Sequence, residues 1–503
     1  MSGSALSHMT AIASDEHCYA RAETETSSLG YDRSVIDYTL PLDELPDPLP
    51  IEPLSKPFDV TITPPGSKSI TCRAYVLAAL ADGESKIIRP LRADDTDKLL
   101  DALCTLGAEA RWDGEDVYIK GVNGRFPRGG EVNLGDGGAP TRFMIACACL
   151  AAEPVVIDGS KRMRERPIAE GVDMLHKLGA TIEYVEKEGR LPVRVVPSGE
   201  FKGGEIEIGE TVSSQFITAF MLVGSCLQEG AKTVYAQSIT SRTYVALTYR
   251  VLHDWEVQVT RLPSSTDSRH GHEIAPGTIW PQTYDVEPDA SSAVYWWMAP
   301  FLVDESRVMT PGIGDGSIQP DYDFLRFLDQ RAIERISKTK TVVRSAKPLG
   351  SGLAVDATNI PDAAIAVAVL ASQADHSWAS DAQFSEVLRK NRFGKPLLRT
   401  LNSTKTTLTG LHTLRHKETD RIAALANELR KIGCTIETTD DSITIDPSTR
   451  HNDPVVIETY NDHRMAMAFG VLGLARPGIS ISNPACVSKS YPTFWRDFAK
   501  LYQ

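Results

Sequence analysis

The chain is poor in cysteine for its length, with eight in 503 residues and no CxxC pair. That excludes a disulfide scaffold and the common Cys-based zinc sites. Cys147 and Cys149 lie inside the apolar stretch 143–150 and read as core thiols, in keeping with how often free cysteine is buried. A reduced, cytoplasmic compartment is the expectation. Long apolar runs are lacking too: the longest, around 143–152 and 217–227, fall short of the roughly 18–20 residues that cross a bilayer as a helix. There is no surplus of positive charge. Lys and Arg number 53 against 66 Asp and Glu, a net charge of −13, which argues against a general nucleic-acid or anionic-membrane binder. With 42% hydrophobic residues, the chain has ample material for a large core, so wholesale disorder is excluded. At about 100–200 residues per domain, the length suggests two to four domains.

The opening MSGSALSHMT has neither a basic n-region nor an apolar h-region, so it reads as a tag remnant and not as a secretory signal. Residues 1–52 are acidic and end in the Pro-rich DELPDPLPIEP; they read as a flexible leader. Beyond them a unit recurs, in which a helical stretch ends at a Gly and short alternating strands follow. It runs through KLLDALCTLGAEARWDGEDVYIKG, GVDMLHKLGATIEYVEKEGRLPVRVVP and IAALANELRKIGCTIETTDDSITIDP. Weaker copies run through YRVLHDWEVQVTRL and DFLRFLDQRAIERISKTKTVVRS. Gly107, Gly179 and Gly433 stand where a helix C-cap favours a residue that tolerates positive φ. The copies are too far apart for a solenoid, whose period is about 20–50 residues; they fit a globular module repeated within two domains. The polar stretch 375–409 breaks the pattern and reads as a surface insertion.

Several motifs carry chemistry. Pro65–Arg73 (PGSKSITCR) is a Gly-hinged turn feeding a helix, with Lys68 and Arg73 near its start. Backbone N–H groups at a helix N-terminus beside two cations make an anion site. It is no Walker A loop, because the glycine spacing is wrong. Gly135, Gly137 and Gly138 surround Asp136 in a loop that lets backbone approach a ligand, and Arg142 follows. KRMRER (161–166) holds four basic residues in six, with Arg166 set before a helix. Val212–Phe216 (VSSQF) and Thr240–Tyr244 (TSRTY) place hydroxyls and an amide before helices, where plain N-capping is the simpler account. In KETDR, Lys417 and Arg421 share a helix face, with Glu418 on its flank. YNDHR (460–464) and SKSYP (488–492) complete the set.

In that order, with EPDASSAVY and IPDAA between them, these motifs resemble the 5-enolpyruvylshikimate-3-phosphate (EPSP) synthase family from about Ser55 to the C-terminus. The resemblance implies an α/β (α+β) fold of two similar domains, each of three βαβαββ units. One domain would be discontinuous, 53–66 with 287–503, and the other would be 67–286. It implies transfer of the enolpyruvyl group of phosphoenolpyruvate to the 5-hydroxyl of shikimate 3-phosphate, by addition and elimination, on the route to chorismate and the aromatic amino acids. No metal or redox cofactor, nucleic acid or membrane is implied; a monomer that closes on its substrates is expected. By the same resemblance Ser69, Arg73, Ser213, Ser214, Ser241 and Tyr244 would hold shikimate 3-phosphate. Lys68, Gly138, Arg166 and Gln215 would hold the phosphate of phosphoenolpyruvate, and Arg421, Arg464 and Lys489 would clamp its carboxylate. Asp362 would accept the hydroxyl proton, Lys417 and Glu418 would exchange protons with the methylene carbon, and Lys68 and His463 complete the catalytic set.

The chain departs from the family pattern at Asp136 (usually Asn), Ala139 (usually Thr), Phe143 (often Pro), Thr413 (Asn) and Cys72 (Asn). A carboxylate at 136 is expected to oppose anion binding, since like charges at contact cost about 4 kcal/mol at an effective dielectric of about 20. Altered affinity for phosphoenolpyruvate and for glyphosate, the family's phosphonate inhibitor, would follow. The rival readings are UDP-N-acetylglucosamine enolpyruvyl transferase, RNA 3′-phosphate cyclase and a non-catalytic ligand-binding relative. The first typically carries a loop Cys where Ala139 stands; the second is disfavoured by the acidic balance. Lys68, Asp362, Glu418 and Arg421 argue against the third.

Overall fold

Each of the three clear helix–Gly–strand joins is present in the computed structural model. The helix Asp94–Leu106 stops at Gly107 and leads into the antiparallel pair Glu109–Asp113 and Asp116–Lys120. Gly179 and Gly433 do the same after the helices Ala169–Lys177 and Arg421–Lys431. Their φ values of 128°, 94° and 90° lie where L side chains are strained. The weaker copy after the helix Arg242–Asp254 turns at Glu256 instead, with φ 56°. The weakest is not an α-helix. Pro320–Arg326 forms 3-10 turns, with Asp321 accepting from the Ser291 hydroxyl.

The structure describes residues 36–209, 213–235, 239, 241–262, 270–346, 352–374, 389–390, 396–400 and 405–503. Residues 1–35 of the leader, Val212 and Thr240 of the two hydroxyl-rich motifs, and most of the 375–409 stretch lie outside them. Among the described residues the strands form six sheets. Five repeat one pattern, a parallel pair extended by two antiparallel strands. Thus Gly130–Asn133 pairs parallel with Val155–Asp158, which pairs antiparallel with Val193–Val196, and that with Thr181–Tyr184. Three of these sheets are drawn wholly from 84–285, and the other sheets from 49–61 and 307–481.

The first strand of one group is exchanged with that of the other. Asp59–Thr61 precedes the helix Lys68–Leu80 yet pairs with Arg307–Pro311. Thr283–Asp285 precedes the helix Ala290–Met298 yet pairs with Glu84–Ile88. The two crossing segments run side by side. Ser67 N–H donates to the Glu287 carbonyl and Asp289 N–H to that of Pro65, both at 2.8 Å, and Asp289 Oδ2 accepts from Lys68 N at 3.0 Å. Gly66 sits at this crossing because a Cβ there would meet the Arg89 carbonyl oxygen at 2.3 Å. Helices such as Ala364–Ala371 are apolar all round and fully buried, so their N-termini are fixed by packing on every side.

The sixth sheet corrects the reading of the leader. Val455–Ile457 pairs parallel with Ile479–Ile481, and the antiparallel place beside it is taken by Leu49–Pro50. Tyr38 anchors this segment: it is buried against Trp495, Phe498 and Tyr502, accepts from Glu52 N and donates to the Pro50 carbonyl. Residues 37–52 therefore belong to the compact unit Asp37–Gln503, because burying a Tyr and pairing a strand offset the entropy of ordering them. The insertion is corrected as well. Thr406–Thr409 is an interior strand, parallel to Ala354–Asp356, with Leu408 buried. Arg389–Lys390 and Pro396–Thr400 extend the edge of the same sheet. Among the described residues no helix is long and apolar enough to cross a membrane.

Candidate active site

Helix starts from both sheet groups converge on one cavity. The helix Lys68–Leu80 brings Lys68, Ser69 and Arg73; Gly138–Ala148 brings Gly138 and Arg142; Ser214–Val223 and Arg242–Asp254 bring Ser213, Ser214, Gln215, Ser241 and Tyr244. Arg166 enters just after the short helix Lys161–Glu165. From the other group come Asp362, before the helix Ala364–Ala371, the loop residues Lys417 and Glu418, and Arg464 at the start of His463–Leu472.

Three buried arginines here form no ion pair with a carboxylate of the described residues. Arg73 donates to the Thr248 and Thr218 hydroxyls and the Ser69 and Tyr244 carbonyls. Arg142 donates to the Gly138 and Pro167 carbonyls, at 2.9 and 3.0 Å. Arg166 reaches the Asp136 carbonyl and Met163 Sδ. Burial pushes all three guanidinium pKa values down, that of Arg73 to about 10. A buried charge without a counter-charge is costly, so an anion entering the cavity would meet three guanidinium groups that no described carboxylate neutralises. Gly138 is part of that arrangement: a Cβ there would lie 2.6 Å from an Arg166 guanidinium nitrogen.

The opposite wall is densely paired. Asp362 Oδ1 meets Arg421 at 2.8 Å and Lys417 at 3.4 Å; Oδ2 meets Arg464 at 3.0 Å and accepts from the Tyr244 hydroxyl at 3.3 Å. Burial alone would raise the Asp362 pKa, but Arg464, Lys417 and Arg421 hold it well below the carboxylate range. Glu418 is likewise held well down, against burial, by Arg421, Lys489 and Lys68. Burial lowers the Lys417 pKa, with Asp362 opposing.

Sequence reasoning missed Asp95. Its buried carboxylate joins Lys489 Nζ at 2.8 Å to Lys68 Nζ at 3.2 Å, and it lines the cavity. In the sequence it is one of three acids in the first turn of its helix, where favourable interaction with the helix dipole is sufficient explanation. Glu170 and His416 also line the cavity and carried no signal; Phe216, which closes the VSSQF motif, lines it as well.

Four residues singled out in the sequence lie off the cavity lining. Arg421 and Lys489 do not reach the cavity surface. Arg421 pairs with Glu418, Asp362 and Asp462, and Lys489 with Asp95, so without ligand both stand behind the cavity wall and hold its carboxylates. His463 is fully buried, lines no part of the cavity and has no hydrogen-bond partner among the described residues; burial holds it neutral. Asp136 does not line the cavity. Its carboxylate accepts from Ser160 Oγ, whose hydroxyl oxygen in turn caps the N-terminus of Lys161–Glu165.

Paired groups of small sheets around an anion-ready cavity define an enolpyruvyl-transferase type of fold. Two solved structures share it: EPSP synthase from Acinetobacter baumannii (TM-score 0.67, 22% identity, 90% of this chain and 97% of that one), and the enolpyruvyl transferase NikO from Streptomyces tendae (TM-score 0.63, 16% identity, 90% and 95%). The family profile of EPSP synthase (3-phosphoshikimate 1-carboxyvinyltransferase) matches residues 54–498. The 3-phosphoshikimate 1-carboxyvinyltransferase of Haemophilus ducreyi is 33% identical over 463 residues, 90% of this chain and 98% of that protein. That of Methanoculleus marisnigri is 33% identical over 445 residues, 87% and 96%. The chain belongs to the EPSP synthase family.

Proposed function

We propose that the chain transfers the enolpyruvyl group of phosphoenolpyruvate to the 5-hydroxyl of shikimate 3-phosphate, releasing phosphate. The observation that carries this is the set of buried, carboxylate-free arginines 73, 142 and 166 on a cavity whose other wall is the proton-exchanging cluster Asp362–Lys417–Glu418. Two phosphates and a carboxylate need several cations in one place, and preorganised donors supply them without reorganisation.

Ser69, Arg73, Ser213, Ser214, Ser241 and Tyr244 hold shikimate 3-phosphate; Lys68, Gly138, Arg166 and Gln215 hold the phosphate of phosphoenolpyruvate; Arg464, with Arg421 and Lys489 behind it, clamps its carboxylate as the cleft closes. Asp362, kept ionised by its cations, accepts the 5-hydroxyl proton as that oxygen attacks C2. Lys417, with its pKa lowered by burial, protonates the methylene carbon. Glu418, kept ionised, removes a proton from the resulting methyl group as the ketal expels phosphate. Residues 53–66 with 287–503, and 67–286, act as two lobes that close over the substrates about the paired crossings at Gly66 and Pro288. The protein works in the cytoplasm as a monomer.

Phosphate release from phosphoenolpyruvate tests the reading. Release that requires shikimate 3-phosphate supports it. Release driven instead by UDP-N-acetylglucosamine, or by neither acceptor, overturns it.

A further inference from the structure

The basic run 161–166 divides its work. Arg166 enters the cavity and Arg164 pairs with Asp158 and Glu186. Arg162 reaches across to the other sheet group. Its Nε donates to the Glu418 carbonyl at 3.1 Å, and its Nη2 to the carbonyls of Lys417 at 3.2 Å and Arg415 at 3.5 Å. Nη1 pairs with Glu165 at 2.9 Å, which steadies the guanidinium from its own helix.

The backbone that it touches needs donors. The 3-10 turn His412–His416 ends at Lys417, which is extended (φ −86°, ψ −158°), and helix Arg421–Lys431 has not yet begun. Carbonyls in such a joint have no regular partner. The same few residues send Lys417 to Asp362 and Glu418 to Arg421. One side of the loop is held through its backbone while the other presents side chains to the cavity.

We propose that Arg162 is a positioning residue for the reaction, clamping the carbonyls of Arg415, Lys417 and Glu418 and so fixing where the Lys417 and Glu418 side chains meet the ligands. It rests on the catalytic reading given above. A planar fork can serve several acceptors at once, whereas an ammonium on a flexible stem is a poorer match. The Arg162 side chain is 35% exposed, so its contribution to global stability is screened; its effect is on position.

The test uses the full chain and the variants Arg162→Ala and Arg162→Lys, with hydrogen exchange of the amides in 411–420 read beside steady-state phosphate release. In Arg162→Ala, exchange in 411–420 is expected to quicken by roughly tenfold or more, with other regions unchanged. Its kcat is expected to fall by roughly tenfold or more, while KM for shikimate 3-phosphate stays within about threefold. Arg162→Lys recovers part of both. Unchanged exchange in 411–420 would overturn the proposal, as would a KM that rises in step with the fall in kcat or faster exchange throughout the chain. If the wild type releases no phosphate, the reaction assigned above fails, and the exchange result still decides the clamp.

Discussion

Replacing Asp362 with Asn keeps the shape of the side chain and removes its charge and basicity. Three cations now face that carboxylate: Arg421 at 2.8 Å, Arg464 at 3.0 Å and Lys417 at 3.4 Å. Each contact is worth about 4 kcal/mol before desolvation, at an effective dielectric of about 20. Burial of all the partners offsets much of that, and breaking a buried pair from one side costs about 3–5 kcal/mol net. The amide can still accept from the Tyr244 hydroxyl and from one cation, so we expect the lower end, about 3 kcal/mol, in denaturant unfolding. The kinetic effect is larger in consequence, since an amide cannot take the hydroxyl proton; kcat is expected to fall by about 10²–10⁴. The two effects separate by assay. Urea titration reports the first, and phosphate release at saturating substrates reports the second. A variant that folds and keeps kcat within about threefold of the wild type would refute the role of Asp362 as base.

Gly138→Ala places a methyl group where Arg166 nitrogens now lie at 2.6 and 2.7 Å; displacement costing about 1–3 kcal/mol should raise KM for phosphoenolpyruvate and leave that for shikimate 3-phosphate nearly unchanged. Asp136→Asn should leave KM for phosphoenolpyruvate and inhibition by glyphosate within about threefold, because the carboxylate is bound at Ser160 at a helix start; a larger change would restore the electrostatic expectation from sequence. Glu418 has its folded pKa held below its unfolded value of about 4.3, so its contribution to stability is present above that pH and is lost as pH falls towards the folded pKa. The stability difference between wild type and Glu418→Gln should therefore shrink below about pH 4, and a constant difference down to pH 3 would refute it. Tyr38→Ala should cost about 3–5 kcal/mol, as for other buried aromatics, with kcat unchanged in the folded enzyme.

What could be read from sequence was local or repeated. The Gly107, Gly179 and Gly433 joins were legible because a helix stop and the alternation after it are both short-range signals. The cavity residues on helix starts were legible through motif order, each lying beside a turn. Asp95 was not, since its partners Lys68 and Lys489 are 27 and 394 positions away and its place in the first turn of a helix offered a sufficient role beside the helix dipole. Residues 37–52 looked like a leader because their acidic, proline-rich composition hides a single aromatic anchor, Tyr38, whose partners lie at the far end of the chain. For Arg421 the residue type was legible but not its partners. A buried arginine among three carboxylates orients them, and only the positions of Asp362, Glu418 and Asp462 reveal that.

The central claim is that unpaired buried arginines await the phosphates of the substrates. Calorimetric titration with shikimate 3-phosphate and with unphosphorylated shikimate tests it most directly. If charge-assisted hydrogen bonds to the phosphate contribute about 1.5–3 kcal/mol each, two of them make the phosphorylated ligand bind roughly 10²-fold or more tightly. Equal affinities for the two would contradict the account.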